Sequence, residues 1–181
     1  TEPKRICGTG YLSLLAALLR TGFLDATGRL ASASVSPLAA RLLGTVERGA
    51  AGWSLPLPGG MELAGADVEE ILKVKAAFSL ALERLLAASG LESRALARVC
   101  LGGALGEHMP ETALERLGFL PQGLQARTVA EGNTSLRGAA LLLTRPELRE
   151  RLVRWSSGCT LVDLAARPDF TALYMRHMVF G

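Results

Sequence analysis

The run Leu101-Gly102-Gly103-Ala104-Leu105-Gly106 is where this sequence concentrates its capacity for ligand chemistry. Glycines let backbone approach a ligand closely and leave N–H groups free at the head of a following helix, so a nucleotide can lie against such a turn. A tight strand-to-helix connection with no ligand has the same spacing. The run is neither a Walker loop, which needs Gly-Lys followed by Ser or Thr, nor the dinucleotide fingerprint Gly-x-Gly-x-x-Gly. Lys75 is the second unusual residue, because it falls within an apolar helical stripe where an ammonium is costly unless it snorkels or meets an anionic ligand. His108 and His177 are the two histidines, far apart and without carboxylates at ligand spacing, so no metal site is expected. There is no Gly-x-Ser-x-Gly elbow and no cysteine with an obvious base, which leaves covalent catalysis unsupported.

These residues need strands and helices to position them. The Arg98 to Leu101 run reads as a short buried strand handing over to the glycine turn, and it is the one strand expected in a core. Upstream, Asp67 to Ala88 carries Val68, Ile71, Leu72, Lys75, Ala76, Phe78, Leu82, Leu85 and Leu86 on one broad face. Asp67 as N-cap with Glu70 three residues on completes a capping box, and Gly90 supplies the stop. A helix from Tyr11 to Arg20 follows Gly8-Thr9-Gly10 and stops at Gly22, while residues 25 to 52 show no sustained period and suggest a loop-heavy excursion. Trp53 to Leu63 reads as two extended pieces about Pro58-Gly59-Gly60. Downstream, Leu91 to Ala97 predicts a short helix, and Pro110 starts another through Leu117. Ala126 to Ala130 is a second strand, and Gly132-Asn133-Thr134 opens a helix. A further helix follows Pro146 to about Trp155, Thr160 to Leu164 suggests a last strand, and Phe170 to Met178 suggests a last helix. Strands alternating with helices make the class α/β.

Composition narrows the function classes. The 181 residues are 49% hydrophobic and 20% charged, which is enough to bury a core. The longest apolar runs, such as Leu12 to Leu19, are too short to cross about 30 Å of hydrocarbon, so no membrane association is expected. The net charge of +3 comes from scattered arginines without interleaved aromatics, which argues against nucleic-acid binding. Cys7, Cys100 and Cys159 are odd in number and widely spaced, which fits a reducing cytoplasm and neither a disulfide framework nor an iron-sulfur or zinc site in this segment. The opening Thr1-Glu2-Pro3-Lys4-Arg5 lacks a secretory pattern and reads as the start of a fragment.

Several segments together resemble the reductive activators of corrinoid proteins. Ile6-Cys7-Gly8-Thr9-Gly10 is similar to their Gly-Ile-Cys-Gly-Ser-Gly segment, with Arg5 in place of the first glycine. Asp67-Val68 followed by Lys75-Ala76-Ala77 resembles their Asp-Ile helix with its Ala-Lys-Ala-Ala core. Leu101 to Gly106 is similar to their Ala-Gly-Ala-Phe-Gly turn, Leu117 to Pro121 to their Ile-Gly-Leu-Leu-Pro, and Gly132-Asn133-Thr134 with Gly138-Ala139 to their Gly-Asn helix start. Asp169-Phe170, Met178 and Phe180 fit the end of those proteins. The order and spacing hold along almost the whole chain. Leu105 stands where the family usually has Phe, and Glu107-His108 replaces a polar-aromatic pair.

The resemblance implies residues 1–181 as the C-terminal part of an actin-like, ribonuclease H-like ATPase lobe, with residues 25–90 as a helical insertion subdomain. It implies ATP or ADP with magnesium as ligand, contacted by Lys75, Gly102, Gly103, Ala104, Gly106 and Asn133. It also implies a two-iron two-sulfur ferredoxin domain elsewhere in a longer protein and a corrinoid protein as partner. Such proteins use ATP to drive reduction of cob(II)amide to cob(I)amide. The family's Asp-Gly-Thr phosphate loops and plant-type cysteine cluster do not occur in these residues. A non-catalytic docking or homodimerisation lobe is the alternative reading, with an exposed apolar patch expected on residues 25 to 52 and on the last helix.

Overall fold

In the computed structural model, residues 5–32, 36–103, 106 and 108–181 are described. Helix α1 (Gly8–Thr21) buries Leu12, Leu15, Ala16 and Leu18, the 3.6-residue stripe that defines its inner face. The excursion after it is more ordered than its composition suggests. Ser36 caps a seven-residue helix α2 (Pro37–Leu43), its hydroxyl accepting the Ala39 N–H at 3.1 Å, with Pro37 at the first helical position. Three strands then form an antiparallel meander, β1 (Glu47–Gly49), β2 (Gly52–Leu57) and β3 (Met61–Ala64), in the order β1-β2-β3. Leu55 pairs with Leu63 in the register, and both point into the core.

The long helix α3 (Gly65–Ala88) runs unbroken for 24 residues. It begins two residues before the expected start. Asp67 is the third helical residue and not the N-cap, and its carboxylate reaches back to accept the Ala64 N–H at 2.9 Å. That places an acid in the first turn, where the unpaired N–H groups and the helix dipole favour it. Glu70 takes no part in this cap and instead pairs with Lys73 on the exposed side at 2.8 Å.

Beyond α3 the chain forms a separate two-stranded parallel sheet, β4 (Val99–Leu101) with β5 (Thr128–Ala130), linked through α4 (Glu111–Leu117). Helices α5 (Thr134–Thr144), α6 (Leu148–Ser157) and α7 (Phe170–Arg176) follow. The predicted short helix at Leu91 to Ala97 is a single 3₁₀ turn at Ser93–Ala95. The strand expected at Thr160 to Leu164 does not form; the segment runs without regular structure and pairs with no strand among the described residues. One hydrophobic cluster unites α1, the meander, α3, α4 and Phe180, with Phe23, Leu15, Leu63 and Leu117 fully enclosed.

The turn after α1 is fastened by Asp25. Its Oδ1 accepts the Thr27 N–H at 2.8 Å, the Thr27 hydroxyl at 2.7 Å and the Arg29 N–H at 3.0 Å. Partial desolvation pushes the carboxyl pKa up, but the hydrogen bonds, with the Arg29 guanidinium nearby, outweigh it and hold the group below the usual carboxylate range. A depressed folded-state pKa stabilises the protein above the unfolded value near 4, and that contribution is lost as pH falls through the folded value. Asp25→Asn is therefore expected to flatten the acid limb of a stability-versus-pH curve while lowering stability at neutral pH, measured by urea unfolding from pH 7 down to pH 3. An unchanged acid limb would remove Asp25 from the account.

Candidate functional site

The carboxyl ends of β4 and β5 lie side by side, which is where ligands bind in open parallel sheets. β4 runs directly into Gly102-Gly103, and β5 reaches Gly132-Asn133 through Glu131. Two backbone hydrogen bonds lock the turns together: the Glu131 N–H donates to the Leu101 carbonyl at 2.9 Å and the Gly103 N–H to the Gly132 carbonyl at 2.7 Å.

The three glycines of the β4 turn serve different needs. At Gly102 a Cβ would collide with the Thr134 side chain, so this glycine is set by packing of the turn on α5. At Gly106 a Cβ would lie 2.6 Å from Leu101 Cβ and 2.7 Å from the Leu101 carbonyl oxygen, so that position is also fixed by internal packing. Gly103 differs from both. Its φ of +89° is a left-handed conformation costly for other residues, and among the described residues, its chain neighbours aside, no atom lies within 4 Å of where its Cβ would be. Open space above a left-handed glycine at a strand's carboxyl end is the geometry a closely approaching ligand needs. Ala104, expected as a further contact, lies outside the described residues, as do Leu105 and Glu107.

Asn133 caps α5, its Oδ1 accepting the Leu136 N–H at 2.9 Å. The side-chain oxygen is committed to the helix, and the amide NH₂ has no hydrogen-bond partner among the described residues. Asn133→Ala is expected to cost about 1 kcal/mol, the usual loss for a removed N-cap, read as a lower urea midpoint with faster amide exchange at the start of α5.

Lys75 lies elsewhere. Its side chain is buried, with the residue only 4% exposed, and its ammonium donates to the Val179 carbonyl at 2.6 Å and the His177 carbonyl at 3.1 Å. Those carbonyls follow the last turn of α7, where unpaired C=O groups and the negative end of the helix dipole favour a cation. Burial pulls the lysine pKa down from its ordinary value. Around it, Ser79 Oγ lies 3.1 Å from His177 Nδ1, and His177 Nε2 lies 3.0 Å from Glu83 Oε2. Arg176 grips both oxygens of Glu83, at 3.0 and 3.2 Å. A cavity of about 680 Å³ opens beside Lys75, bounded by Glu83, Glu115, Phe119, His177 and Phe180 among others.

None of Gly102, Gly103, Gly106 or Asn133 lines that cavity. The structure therefore gathers the two glycine turns and Asn133 at one place and sets Lys75 at another, with its charge held by backbone carbonyls of the chain's last residues. Sequence reasoning missed those partners because the contacts span 102 and 104 positions and carbonyls leave no trace in residue type. Among the described residues no three His, Cys, Asp or Glu side chains gather as a metal site. Nor is any helix among them long and apolar enough to cross a membrane.

A parallel strand pair ending in joined glycine turns, together with an antiparallel meander and the helices, makes this a mixed α/β lobe. The chain belongs to the family described as the C-terminal domain of RACo, the ASKHA domain, which it matches over residues 1–181. It is similar to the corrinoid activation enzyme RamQ of Eubacterium limosum, with 24% identity over 192 residues covering 100% of this chain and 32% of that protein. Among solved structures, a reductive activator for corrinoid, iron-sulfur protein superimposes with a TM-score of 0.83 at 22% identity, over 99% of this chain and 29% of the other. That likeness shows the fold. The chain spans about a third of the length of these relatives.

Proposed function

We propose that this chain is the nucleotide-binding portion of an ATP-dependent reductive activator that returns a corrinoid protein from cob(II)amide to cob(I)amide. The observation that carries the reading is the family match along the whole chain, which relates it to proteins of corrinoid activation. The glycine turns support it independently, since a left-handed glycine with open space above it lies at the carboxyl end of a parallel strand. In this reading the backbone at Gly102 and Gly103 meets the adenosine side of ATP or ADP, and Asn133 offers its amide NH₂ from the neighbouring turn. Gly106 acts indirectly by keeping the turn packed on Leu101. The ATP, with magnesium, supplies the driving force when bound, and the two-iron two-sulfur cluster that delivers the electron belongs to another part of a longer protein.

One wall of a cleft binds without turning over. In-line phosphoryl transfer needs phosphate loops, a metal-binding carboxylate and a positioned water held from both sides of a closed site. The purified chain is expected to bind ADP in calorimetry and to show no steady ATP hydrolysis. Hydrolysis that tracks with the protein through purification would contradict this assignment, and absence of any ADP heat would remove the nucleotide reading. The activator role itself is tested on the longer protein by following the visible spectrum of a corrinoid protein with ATP and a reductant. No conversion of cob(II)amide would sink it.

A further inference from the structure

The cavity beside Lys75 has no part in the nucleotide reading. At about 680 Å³ it falls in the size range of small-molecule sites. It is bounded by the segment that enters β4, at Leu91 to Ser93, and by the turn that leaves α4, at Gly118 to Gln122. Leu82 and Leu86 of α3, with Phe119, Leu120 and Phe180, supply its apolar wall.

The polar capacity left over inside it defines what can enter. Ser79, Glu83, Arg176 and His177 are bonded to one another and close one side as a finished network. Glu92 at the rim is paired with Arg94. Two ionic groups are unfinished. The Lys75 ammonium has three N–H donors, of which the His177 and Val179 carbonyls take two, and the third has no acceptor among the described residues. Glu115 accepts the Gln125 N–H through Oε1, while its Oε2 has neither a donor nor a cation among the described residues. The spare donor is cationic and buried, the spare acceptor is anionic and half-buried, and both side chains border the same apolar space.

We propose that this cavity binds a zwitterionic small molecule, an α-amino acid with an apolar or aromatic side chain, whose carboxylate meets Lys75, whose ammonium meets Glu115 and whose side chain lies against Leu82, Leu86 and Phe119. Ligands of a single charge fit less well. A simple organic acid satisfies Lys75 but brings a negative charge near Glu115 with nothing to offset it, and a simple amine has the reverse fault beside Lys75. A nucleoside polyphosphate would face Glu83, Glu92 and Glu115 together, which keeps this site distinct from the glycine turns. Because Lys75 also holds the carbonyls of His177 and Val179, an occupant here ties α3, the end of α4 and residues 177–179 to one another.

Nucleotide binding plays no part in this, so the two assignments fail separately. Calorimetric titration of the 181-residue chain with L-phenylalanine and L-leucine is expected to show binding, and both should raise the urea midpoint. 3-Phenylpropionate and phenethylamine each lack one of the two charges and should bind about tenfold more weakly than phenylalanine, the loss expected for one charge-assisted hydrogen bond. Glu115→Gln should weaken phenylalanine by a similar factor and leave 3-phenylpropionate unchanged. Ala87→Trp, at an exposed position on the cavity wall, should block every one of these probes while the protein stays folded and binds ADP as the parent chain does. Absence of binding by both amino acids would overturn the proposal. So would equal binding of the single-charge analogues, phenylalanine binding that survives Ala87→Trp, or loss of ADP together with phenylalanine in that variant, which would assign the cavity to the nucleotide.

Discussion

Lys75→Met is expected to lower stability by about 2 kcal/mol and to leave ADP affinity within twofold. Hydrogen bonds to a charged donor contribute roughly 1.5–3 kcal/mol each, and this substitution removes two, to the carbonyls of His177 and Val179. Against that stands relief from burying an ammonium, which the lowered pKa of Lys75 already signals, so the net loss falls below the sum of the two. The methionine still fills the aliphatic part of the stripe, and the damage should be local. Amide exchange should quicken across residues 177–180 while β4 and β5 stay as they were. Gly118 provides an independent check, because with φ of +78° a Cβ there would lie 2.7 Å from Lys75 Cε and 3.0 Å from Nζ. Gly118→Ala should therefore loosen the same segment through a different atom. Should Lys75→Met leave unfolding untouched and abolish ADP binding instead, the ammonium would belong to the nucleotide and not to the chain's last turn.

Gly103→Val is expected to abolish ADP binding while the protein stays folded. The substitution forces a branched residue into a left-handed conformation, at a cost of about 1–2 kcal/mol, and projects its side chain into the open space above the turn. Because no atom of the described residues beyond its chain neighbours lies within 4 Å of that Cβ, the strain is conformational and the core is untouched. Gly103→Ala separates the two effects. It carries the backbone strain with far less bulk, so it should match the valine variant in stability more nearly than in affinity. Calorimetric titration with ADP beside urea unfolding reads both quantities. If both variants bind as the parent does, the turn is a strand-to-helix connection and nothing more.

The parts of the fold that local pattern determines were legible. The α3 stripe repeats over 24 residues, which makes its existence plain, yet its start was misplaced because Asp at a third helical position and Asp at an N-cap leave the same mark in a sequence. Helix α2 has only seven residues, too few periods to register, although Ser36-Pro37 was a cap signal within it. Thr160 to Leu164 has strand-like residues, but β propensity is realised only against a neighbouring strand, and no strand among the described residues pairs with it. For the site, Gly102, Gly103 and Asn133 could be singled out by type, and the backbone bonds between their turns bring them together. Lys75 could be marked as anomalous but not placed, since a lysine in an apolar stripe announces a partner without saying where in the chain that partner is.

The fastening of the last residues has a consequence for how the protein is made. Phe180 is buried against the turn at Gly28, and its N–H donates to the Ala26 carbonyl at 2.7 Å, while Lys75 holds the two carbonyls on either side of Met178. Helices α1 and α3 thus leave the ribosome long before the residues that close the core over them are synthesised. During that interval Val68 and Leu72 lack Phe180, with which they enclose the turn at Gly28, and the nascent lobe presents apolar surface of the kind chaperones hold. Completion of the core is a late event, tied to synthesis of residues 177–180 and not to the emergence of the helices they fasten.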